Sequence, residues 1–247
     1  MGVAYLCFYG ELNDFLPRHK RQVSINYTFT ERGSIKDVIE SLGVPHPEVY
    51  SIEVNSIFVD FTYIIQDGDN INVYPISSCA RIKPNLCIQP QTNNIQSFVL
   101  DIHLGKLATS LRLLGFDTLY RNDYSDPELA RVSSSENRIL LTRDKGLLMR
   151  SIVSYGYYVR QTDPQKQIIE VMYRFNLFEY AAPFRRCLRC NGILNSVAKE
   201  VILTQIPESV KNLNHEFHRC QSCNQIYWKG SHYNKLQNVI SNILNNV

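Results

Sequence analysis

Hydrophobic and polar residues alternate near the start of the chain in the way that a half-buried β-strand requires. Residues 3–9 and 23–29 are rich in β-branched and aromatic side chains, and the second run alternates clearly. Together they predict an opening hairpin. The spacing of apolar residues then changes from alternation to helical spacing over 34–42. Gly43 follows as the expected end of a helix.

Short strands are predicted after this helix, at 51–54, 57–59 and 71–75, the last one following the turn Asp67-Gly-Asp-Asn. The order β-β-α-β-β, with this turn before the last strand, resembles the β-grasp fold of ubiquitin and of the small sulfur carriers. Those carriers end in an exposed Gly-Gly tail, whereas the last strand here runs into Pro75-Ile-Ser-Ser. The resemblance therefore implies a binding or scaffolding module that could contact a protein partner, and argues against conjugation or thiocarboxylate chemistry.

A second pattern begins at residue 97, after a polar, proline-bearing stretch at 79–96 that we interpret as a linker. Strand-like and helix-like segments now alternate, which implies a parallel sheet covered by helices. The predicted strands lie at 97–101, 117–120, 138–142 and 157–160, and the predicted helices at 103–114, from 127 onward, at 145–151 and at 165–175.

Acidic residues follow three of these strands. Asp101 closes the first strand, Asp126 follows the second, and Asp144 follows the third. Because the carboxyl ends of parallel strands meet at one edge of a sheet, we expect these carboxylates to converge there. Converging carboxylates repel one another unless a hard cation such as Mg²⁺ or Mn²⁺ lies between them. Phosphodiester cleavage is the chemistry that such a site most often serves.

Each acid also has a structural explanation. Asp101 could cap the helix that follows it. Asp126 precedes a proline, which is typical of a helix start, although a capping box formed by Ser125 and Glu128 could fill that role instead. Asp144 could form a solvated pair with a flanking arginine.

Two Cys-x-x-Cys pairs give the most specific chemical signal in the sequence, Cys187 with Cys190 and Cys220 with Cys223. Two such pairs complete a closed tetrahedral Zn²⁺ site, which predicts a structural zinc ribbon. The interval 191–219 is long for a ribbon, so we expect a hairpin or an extra loop between the pairs. Alternatives are thioredoxin-like redox chemistry, and a site in which one cysteine is replaced by a histidine, namely His215, His218 or His232.

Aromatic residues lie beside a cation directly after the second cysteine pair, in the run Tyr227-Trp-Lys-Gly-Ser-His-Tyr. This run could stack on exposed bases, or it could form the small core of the ribbon. The sequence favours neither interpretation over the other.

Composition narrows the class of protein only slightly. The chain of 247 residues is 44% hydrophobic and 20% charged, as in globular soluble proteins, and its net charge of +3 permits nucleic-acid binding without demanding it. No apolar run approaches the roughly 18 residues of a membrane span, and the N-terminus has no secretory pattern. Seven cysteines, four of them in pairs, suit a reducing compartment. We therefore expect a cytoplasmic protein without a membrane partner.

Four segments of the chain closely resemble the RNase domain named for the C-terminal region of the mutator-seven exonuclease, a branch of the PIN-like nucleases. They are Phe98-Val-Leu-Asp, Leu104-Gly-Lys-Leu-Ala, Leu111-Arg-Leu-Leu-Gly-Phe-Asp and Leu140-Leu-Thr-Arg-Asp-Lys-Gly-Leu-Leu. The segments Glu40-Ser-Leu-Gly-Val-Pro-His-Pro-Glu-Val and Asp67-Gly-Asp are similar to the ubiquitin-like domain that accompanies it. The resemblance implies a PIN-like sheet and metal-dependent RNase activity, with acidic motifs at Asp101, Asp126 and Asp144.

We thus expect a multidomain chain of α/β and α+β class. The expected parts are a β-grasp domain at 1–78, a linker at 79–96, a PIN-like parallel-sheet α/β domain at 97–182, a four-cysteine zinc ribbon at 183–235 and a C-terminal tail at 236–247. The expected function is hydrolysis of RNA phosphodiester bonds with Mg²⁺ or Mn²⁺ as the catalytic metal and Zn²⁺ as the structural one. Basic residues expected to contact RNA are Lys106, Arg112, Arg143 and Lys145.

Two alternatives follow from the same residues. Typical PIN nucleases carry a further acid on a helix between the first and third motifs, and nothing acidic lies between Asp101 and Asp117. An RNA-binding or adaptor protein with a degenerate site is therefore the main alternative, and a small-molecule phosphohydrolase is the third. Lys106 and Arg112 could also simply form the solvated face of their helix.

Overall fold

A computed structural model describes residues 1–81, 88, 96–211 and 216–245. The strands are β1 (Gly2–Phe8), β2 (Ile25–Phe29), β3 (Val49–Val54), β4 (Ile57–Val59), β5 (Asn70–Pro75), β6 (Ser97–Leu100), β7 (Asp117–Leu119), β8 (Ile139–Thr142), β9 (Gly156–Tyr158), β10 (Leu194–Val197), β11 (Phe217–Cys220) and β12 (Ile226–Trp228). The helices are α1 (Ile35–Ser41), α2 (Gly105–Leu113), α3 (Asp126–Ser135), α4 (Lys145–Leu148), α5 (Pro164–Arg174), α6 (Lys199–Ile202), α7 (Glu208–Lys211) and α8 (Ser231–Leu244).

The contacts divide the chain into two compact units. One comprises Met1–Ile95 with Ser125–Tyr158, and the other comprises Gln96–Tyr124 with Val159–Val247. Most of the predicted linker at 79–96 lies outside the described residues. The first unit therefore includes α3, β8, α4 and β9 together with the N-terminal sheet.

The N-terminal sheet has five strands in the order β2-β1-β5-β3-β4. β1 and β2 pair antiparallel, with Gly2 opposite Phe29, which confirms the predicted hairpin. β1 and β5 are parallel, and β3 is antiparallel to both of its neighbours. Apolar side chains of alternating strand positions are buried against α1, and this burial is the main force that stabilises such a small module.

Helix α1 begins and ends as its sequence predicts. The Ser34 hydroxyl accepts a hydrogen bond from the Asp37 backbone N–H at 3.2 Å, so Ser34 caps the N-terminus. Gly43 follows the last turn with a φ of +95°, a left-handed conformation that favours glycine. The helix buries Ile35, Val38 and Ile39 against the sheet.

Long-range contacts attach Ser125–Tyr158 to this module. Glu48, buried at 3% exposure, accepts a hydrogen bond from the Tyr158 backbone N–H at 2.6 Å. The His46 ring lies between the Glu40 carboxylate at 2.6 Å and the Val153 carbonyl oxygen at 2.8 Å. In the same unit β8 and β9 pair in parallel, as the strand and helix alternation predicts.

The second unit begins with another parallel pair, β6 and β7, in which Ser97 lies opposite Asp117. Helix α2 follows β6 and packs against α5. Gly115 ends α2 with a φ of +94°, and a β-carbon there would lie 2.1 Å from the Ala182 carbonyl oxygen. This close approach and the positive φ together require glycine at the predicted helix end.

The C-terminal part of the second unit contains a three-stranded antiparallel sheet in the order β10-β11-β12. Helices α6 and α7 lie in the long interval between the cysteine pairs, and with the strands they bury a small cluster that includes Ile202 and Phe217. The last helix runs from Ser231 to Leu244 and so crosses the position expected to separate ribbon from tail. Within the described residues, no helix combines the length and the apolar character that crossing a bilayer requires.

Candidate functional site

Asp101 follows β6 and is buried, with 6% of its surface exposed. It occupies the N-cap position of the short 3-10 turn Ile102–Leu104, but its side chain makes no capping hydrogen bond. Capping therefore does not account for this carboxylate. Carboxylate oxygens are hard donors of the kind that divalent ions such as Mg²⁺ and Mn²⁺ prefer.

Asp126 is the first residue of α3 and is exposed. The capping box that the sequence suggests is present, since the Glu128 carboxylate accepts hydrogen bonds from the Ser125 backbone N–H at 2.9 Å and from its hydroxyl at 2.7 Å. Within the described part of the chain the Asp126 carboxylate makes no side-chain hydrogen bond. The helix start consequently leaves both of its oxygens accessible to a ligand.

Asp144 has a structural role that we did not expect. Its Oδ1 atom accepts hydrogen bonds from the backbone N–H groups of Gly146 at 2.7 Å and Leu147 at 3.4 Å, so Asp144 caps α4 and does not pair with an arginine. Its second oxygen, Oδ2, has no hydrogen-bond partner among the described residues. The cap fixes the orientation of the carboxylate and leaves one oxygen for a further ligand.

Arg112 corrects one of the predicted RNA contacts. Its side chain is 4% exposed, so it belongs neither to a solvated helix face nor to an RNA-binding surface. The guanidinium donates to four backbone carbonyl oxygens, those of Thr118 at 2.9 Å, Leu188 and Arg189 at 3.1 Å each, and Tyr120 at 3.4 Å. Burial lowers the pKa of Arg112, but guanidinium groups remain charged in proteins. Arg112 is therefore a structural cation.

The other three predicted contacts differ in their surroundings. Lys106 is exposed on α2. The Arg143 guanidinium lies 6.0 Å from the centre of the Tyr158 ring. Lys145 donates to the Phe15 carbonyl oxygen at 3.1 Å and lies 5.1 Å from the centre of the Phe15 ring, so part of its function is to hold α4 against the N-terminal module.

The two cysteine pairs lie on turns of the same construction. The Cys187 N–H donates to the Gly192 carbonyl oxygen and the Asn191 N–H donates to the Cys187 carbonyl oxygen. The second turn repeats this with Cys220, Gln225 and Asn224. Asn191 and Asn224 both have positive φ, 70° and 59°, which asparagine tolerates better than most residues.

The four cysteine sulfur atoms lie within 4.8 Å of one another. The Cys187 and Cys223 sulfurs are 3.6 Å apart, and those of Cys190 and Cys220 are 3.4 Å apart. A tetrahedron with zinc–sulfur bonds of about 2.3 Å has edges of about 3.8 Å, so these sulfurs fit a zinc ion with little movement. The four thiolates would hold the ion, which stabilises the fold of a part of the chain that has only a small apolar core.

No histidine belongs to the cysteine cluster in the part of the chain that the structure describes. His218 and His232 therefore do not replace a cysteine ligand, while His215 lies outside the described residues.

Gly192 allows the two cysteine turns to approach each other closely, because a β-carbon on Gly192 would lie 2.8 Å from the Cys220 sulfur.

Burial and hydrogen bonds change the pKa values of the cysteine thiols by different amounts. Burial raises the pKa of Cys187, but the Tyr227 hydroxyl at 3.1 Å and the backbone N–H groups of Cys190 and Arg189 outweigh it and bring the pKa to about 7. Burial raises the pKa of Cys190 to about 12 and also raises that of Cys223. In the metal-free protein the Cys187 thiol thus ionises near neutral pH.

The first cysteine turn is fastened to the rest of its unit by side chains that sequence reasoning missed. Asn191 accepts from the Thr118 N–H at 3.0 Å and donates to the Asp117 carboxylate at 2.8 Å. Arg186 adds an ion pair with Asp117 at 3.2 Å. Cys190-Asn-Gly resembles an ordinary turn, so only the fold shows that this asparagine also contacts β7.

Comparison with protein-family models shows which family the chain belongs to. Residues 96–240, more than half of the sequence, match the model of the Mut7-C RNase domain. The chain belongs to the Mut7-C RNase domain family. Residues 1–81 match the Mut7-C ubiquitin domain, which confirms the ubiquitin-like character of the N-terminal module. Neither the curated proteins nor the solved structures contain a significant match.

Proposed function

We propose that this Mut7-C protein is a metal-dependent ribonuclease that hydrolyses RNA phosphodiester bonds through Asp101, Asp126 and Asp144. The observation that carries the proposal is the family match over residues 96–240. The environments of the three acids support it. Asp101 is buried directly after β6. The capping box at the start of α3 is formed by Ser125 and Glu128 and not by Asp126. Asp144 keeps one oxygen for a ligand.

The three carboxylates would hold Mg²⁺ or Mn²⁺, since hard oxygen donors suit these ions. A bound ion of this kind supplies an activated water at neutral pH and neutralises charge on the reacting phosphate. The protein itself contributes by holding the carboxylate side chains in position. The Gly146 and Leu147 amides orient Asp144, and the scaffold around β6 holds Asp101 in a site of low solvent exposure.

RNA contacts outside the acidic site belong to exposed cations in this proposal. Lys106 is the best placed of the four predicted residues because its side chain is exposed. Arg143 and Lys145 flank Asp144 in the sequence and would attract a phosphate backbone, although Lys145 also holds the Phe15 carbonyl oxygen. Arg112 is excluded from this set by its burial.

The ubiquitin-like module serves as a scaffold and as a site for a protein partner in this proposal. Its scaffolding function is supported by Glu48 and His46, which bind backbone groups of Tyr158 and Val153. Its last strand leads into a 3-10 turn, Ile76–Arg81, and not into the glycine tail of a conjugated protein. A reducing compartment such as the cytoplasm suits the free thiols of a zinc ribbon.

A non-catalytic RNA-binding or adaptor function is the second candidate. One observation favours it, the absence of an acid between Asp101 and Asp117 in the sequence. Metal dependence separates the two functions. A nuclease binds RNA in EDTA, cleaves it only when Mn²⁺ or Mg²⁺ is supplied, and loses cleavage but not binding in Asp144→Asn. An adaptor binds RNA equally under all these conditions and never cleaves it.

A further inference from the structure

A cavity of about 400 Å³ opens beside the zinc ribbon, within the second compact unit. It is lined by strands β11 and β12, by the first turns of α8 and by the chain around Phe184, and we call it the aromatic pocket. Its volume lies in the range of roughly 300–1,000 Å³ that ligand pockets occupy. None of the acids proposed for catalysis lines it.

Aromatic rings form much of its wall. The rings of Phe184 and Tyr233 are stacked, with centres 4.6 Å apart and planes inclined by 27°. Trp228 also lines the cavity, while another part of the same side chain packs against the apolar cluster of the ribbon. Trp228 thus contributes both to the apolar cluster of the ribbon and to the pocket wall. Aromatic faces of this kind favour a flat, apolar ligand group.

The charge of the pocket favours an anionic ligand. The lining includes the acid Glu216 and two permanently charged cations, Arg186, which already pairs with Asp117 at 3.2 Å, and Lys229. Lys229 lies 6.0 Å from the centre of the Tyr233 ring and pairs with Glu216 at 2.5 Å. Because both partners are largely exposed, at 48% and 69%, this pair is weak, and an incoming phosphate can replace the carboxylate at low cost.

The backbone at the pocket is strained. Phe184 has a φ of +62°, which is rare for a bulky residue and costs on the order of 1–3 kcal/mol. The conformation is held by a hydrogen bond from the Phe184 N–H to the Leu113 carbonyl oxygen at 3.1 Å. Strain of this kind concentrates at ligand-binding positions, and here it accompanies the stacking of Phe184 on Tyr233.

The cysteine cluster supports one wall of the pocket. Tyr227, which lines the cavity, places its hydroxyl 3.1 Å from the Cys187 sulfur and 3.1 Å from the Leu188 backbone nitrogen. Loss of the metal would therefore disturb the position of β12 and of Trp228 beside it. Tyr227 thus links the pocket directly to the cysteine cluster.

We infer that the aromatic pocket binds one unpaired base of single-stranded RNA, with the adjoining phosphate at Lys229. The inference rests on the proposed function in one respect, that RNA is the ligand class, and it adds the place where an unpaired nucleotide is held. Stacking on Tyr233 and Trp228 explains why the walls are aromatic, and the phosphate explains the exposed cation Lys229 at the pocket.

Trp228 provides a direct measurement because it is the only tryptophan of the chain. An unstructured oligouridylate is titrated into the zinc-loaded full-length protein without added Mg²⁺ or Mn²⁺, and Trp228 fluorescence is followed. We expect saturable quenching. Tyr233→Ala should raise the Kd by about five- to 150-fold, the range that loss of one stacked base implies, and Tyr233→Phe should leave it within about twofold.

Two further variants separate binding from folding. Tyr180→Ala removes an exposed tyrosine of the same unit that does not line the pocket, and it should bind like the wild type. Lys229→Glu changes an exposed side chain, so it should retain zinc even where Tyr233→Ala does not. It should weaken binding and reduce the salt dependence of log Kd by about 0.7 for the lost phosphate contact.

The outcomes distinguish this inference from the proposed function. If RNA quenches Trp228 fluorescence, and Lys229→Glu and Tyr233→Ala both weaken this quenching, the pocket is supported even if the protein never cleaves RNA. Metal-dependent cleavage without any quenching overturns the pocket and leaves the nuclease. Quenching by a short acidic peptide containing phenylalanine, but not by RNA, overturns it in favour of a protein ligand.

Discussion

The Arg112 guanidinium donates a hydrogen bond to the Leu188 carbonyl oxygen at 3.1 Å, and so joins helix α2 to the first cysteine turn. The same guanidinium also binds the carbonyl oxygens of Arg189 and Thr118. A planar fork of donors suits such divergent acceptors, and lysine has no equivalent geometry. Helix α2 and the first cysteine turn are therefore connected directly through the Arg112 side chain.

Replacing Arg112 tests this connection. Arg112→Ala leaves the buried carbonyl groups without donors and should lower the free energy of unfolding by about 3 kcal/mol. Arg112→Lys should cost roughly half as much, since it restores the charge without the fork. Urea unfolding in the presence of zinc measures both. Lys106→Ala, on the exposed side of the same helix, should leave stability within about 0.5 kcal/mol. Equal effects of Arg112→Ala and Lys106→Ala would contradict the structural role of Arg112.

Zinc affinity should depend steeply on pH. Thiols must lose their protons to bind zinc, and Cys190 and Cys223 have pKa values raised by burial, so protons are released throughout the neutral range. Below the Cys187 pKa of about 7, a further proton competes with the metal. We expect the apparent Kd for zinc to rise on the order of a hundredfold or more per unit as pH falls. Competition with a chromophoric chelator measures it.

Tyr227→Phe tests how far the Tyr227 hydroxyl contributes to the pH dependence of zinc binding. It removes the hydroxyl that helps to lower the pKa of Cys187, so the pKa should rise and zinc binding at pH 7 should weaken. At alkaline pH, where Cys187 is ionised in both proteins, the two affinities should converge. A pH-independent zinc affinity, or a Tyr227→Phe variant that binds zinc more tightly at pH 7, would refute this description of the site.

Glu48 should control the local stability of β9. Glu48→Ala removes the acceptor of the Tyr158 N–H and should cost about 2 kcal/mol. Hydrogen exchange over residues 153–160 should consequently become about 30-fold faster. Glu31→Ala, an exposed acid of the same module, is the control and should leave the exchange unchanged. Unaltered exchange in Glu48→Ala would mean that the ubiquitin-like module does not hold this strand.

Local patterns predicted much of this molecule. Alternation gave the hairpin β1–β2, the Ser34 cap and Gly43 bounded α1, and the spacing of the cysteines identified the cluster that brings their sulfurs within 4.8 Å. The capping box of Ser125 and Glu128 was also visible, because capping is decided by neighbours three residues apart.

Contacts between distant residues were beyond such patterns. His46 and Val153 lie 107 positions apart, and Glu48 and Tyr158 lie 110 apart, so no local period connects them. Arg112 was misassigned for a related reason. A cation on a helix is exposed by default, and its acceptors here are backbone carbonyl groups, which leave no signature in the sequence.

The acidic residues carry the central claim, and one comparison tests it most directly. Purified wild-type protein is incubated with a mixed pool of structured and single-stranded RNAs in Mn²⁺, beside Asp101→Asn and Asp123→Asn of verified equal zinc content. Asp123 is the matched control, because it is an exposed acid whose carboxylate pairs with Arg121 at 2.7 Å.

Cleavage by the wild type and by Asp123→Asn, with a loss of at least about a hundredfold in Asp101→Asn, is the predicted result. Cleavage that persists undiminished in Asp101→Asn would contradict the proposed site. Absence of cleavage in all three proteins, with RNA binding retained, would contradict the nuclease itself and leave an RNA-binding adaptor in its place.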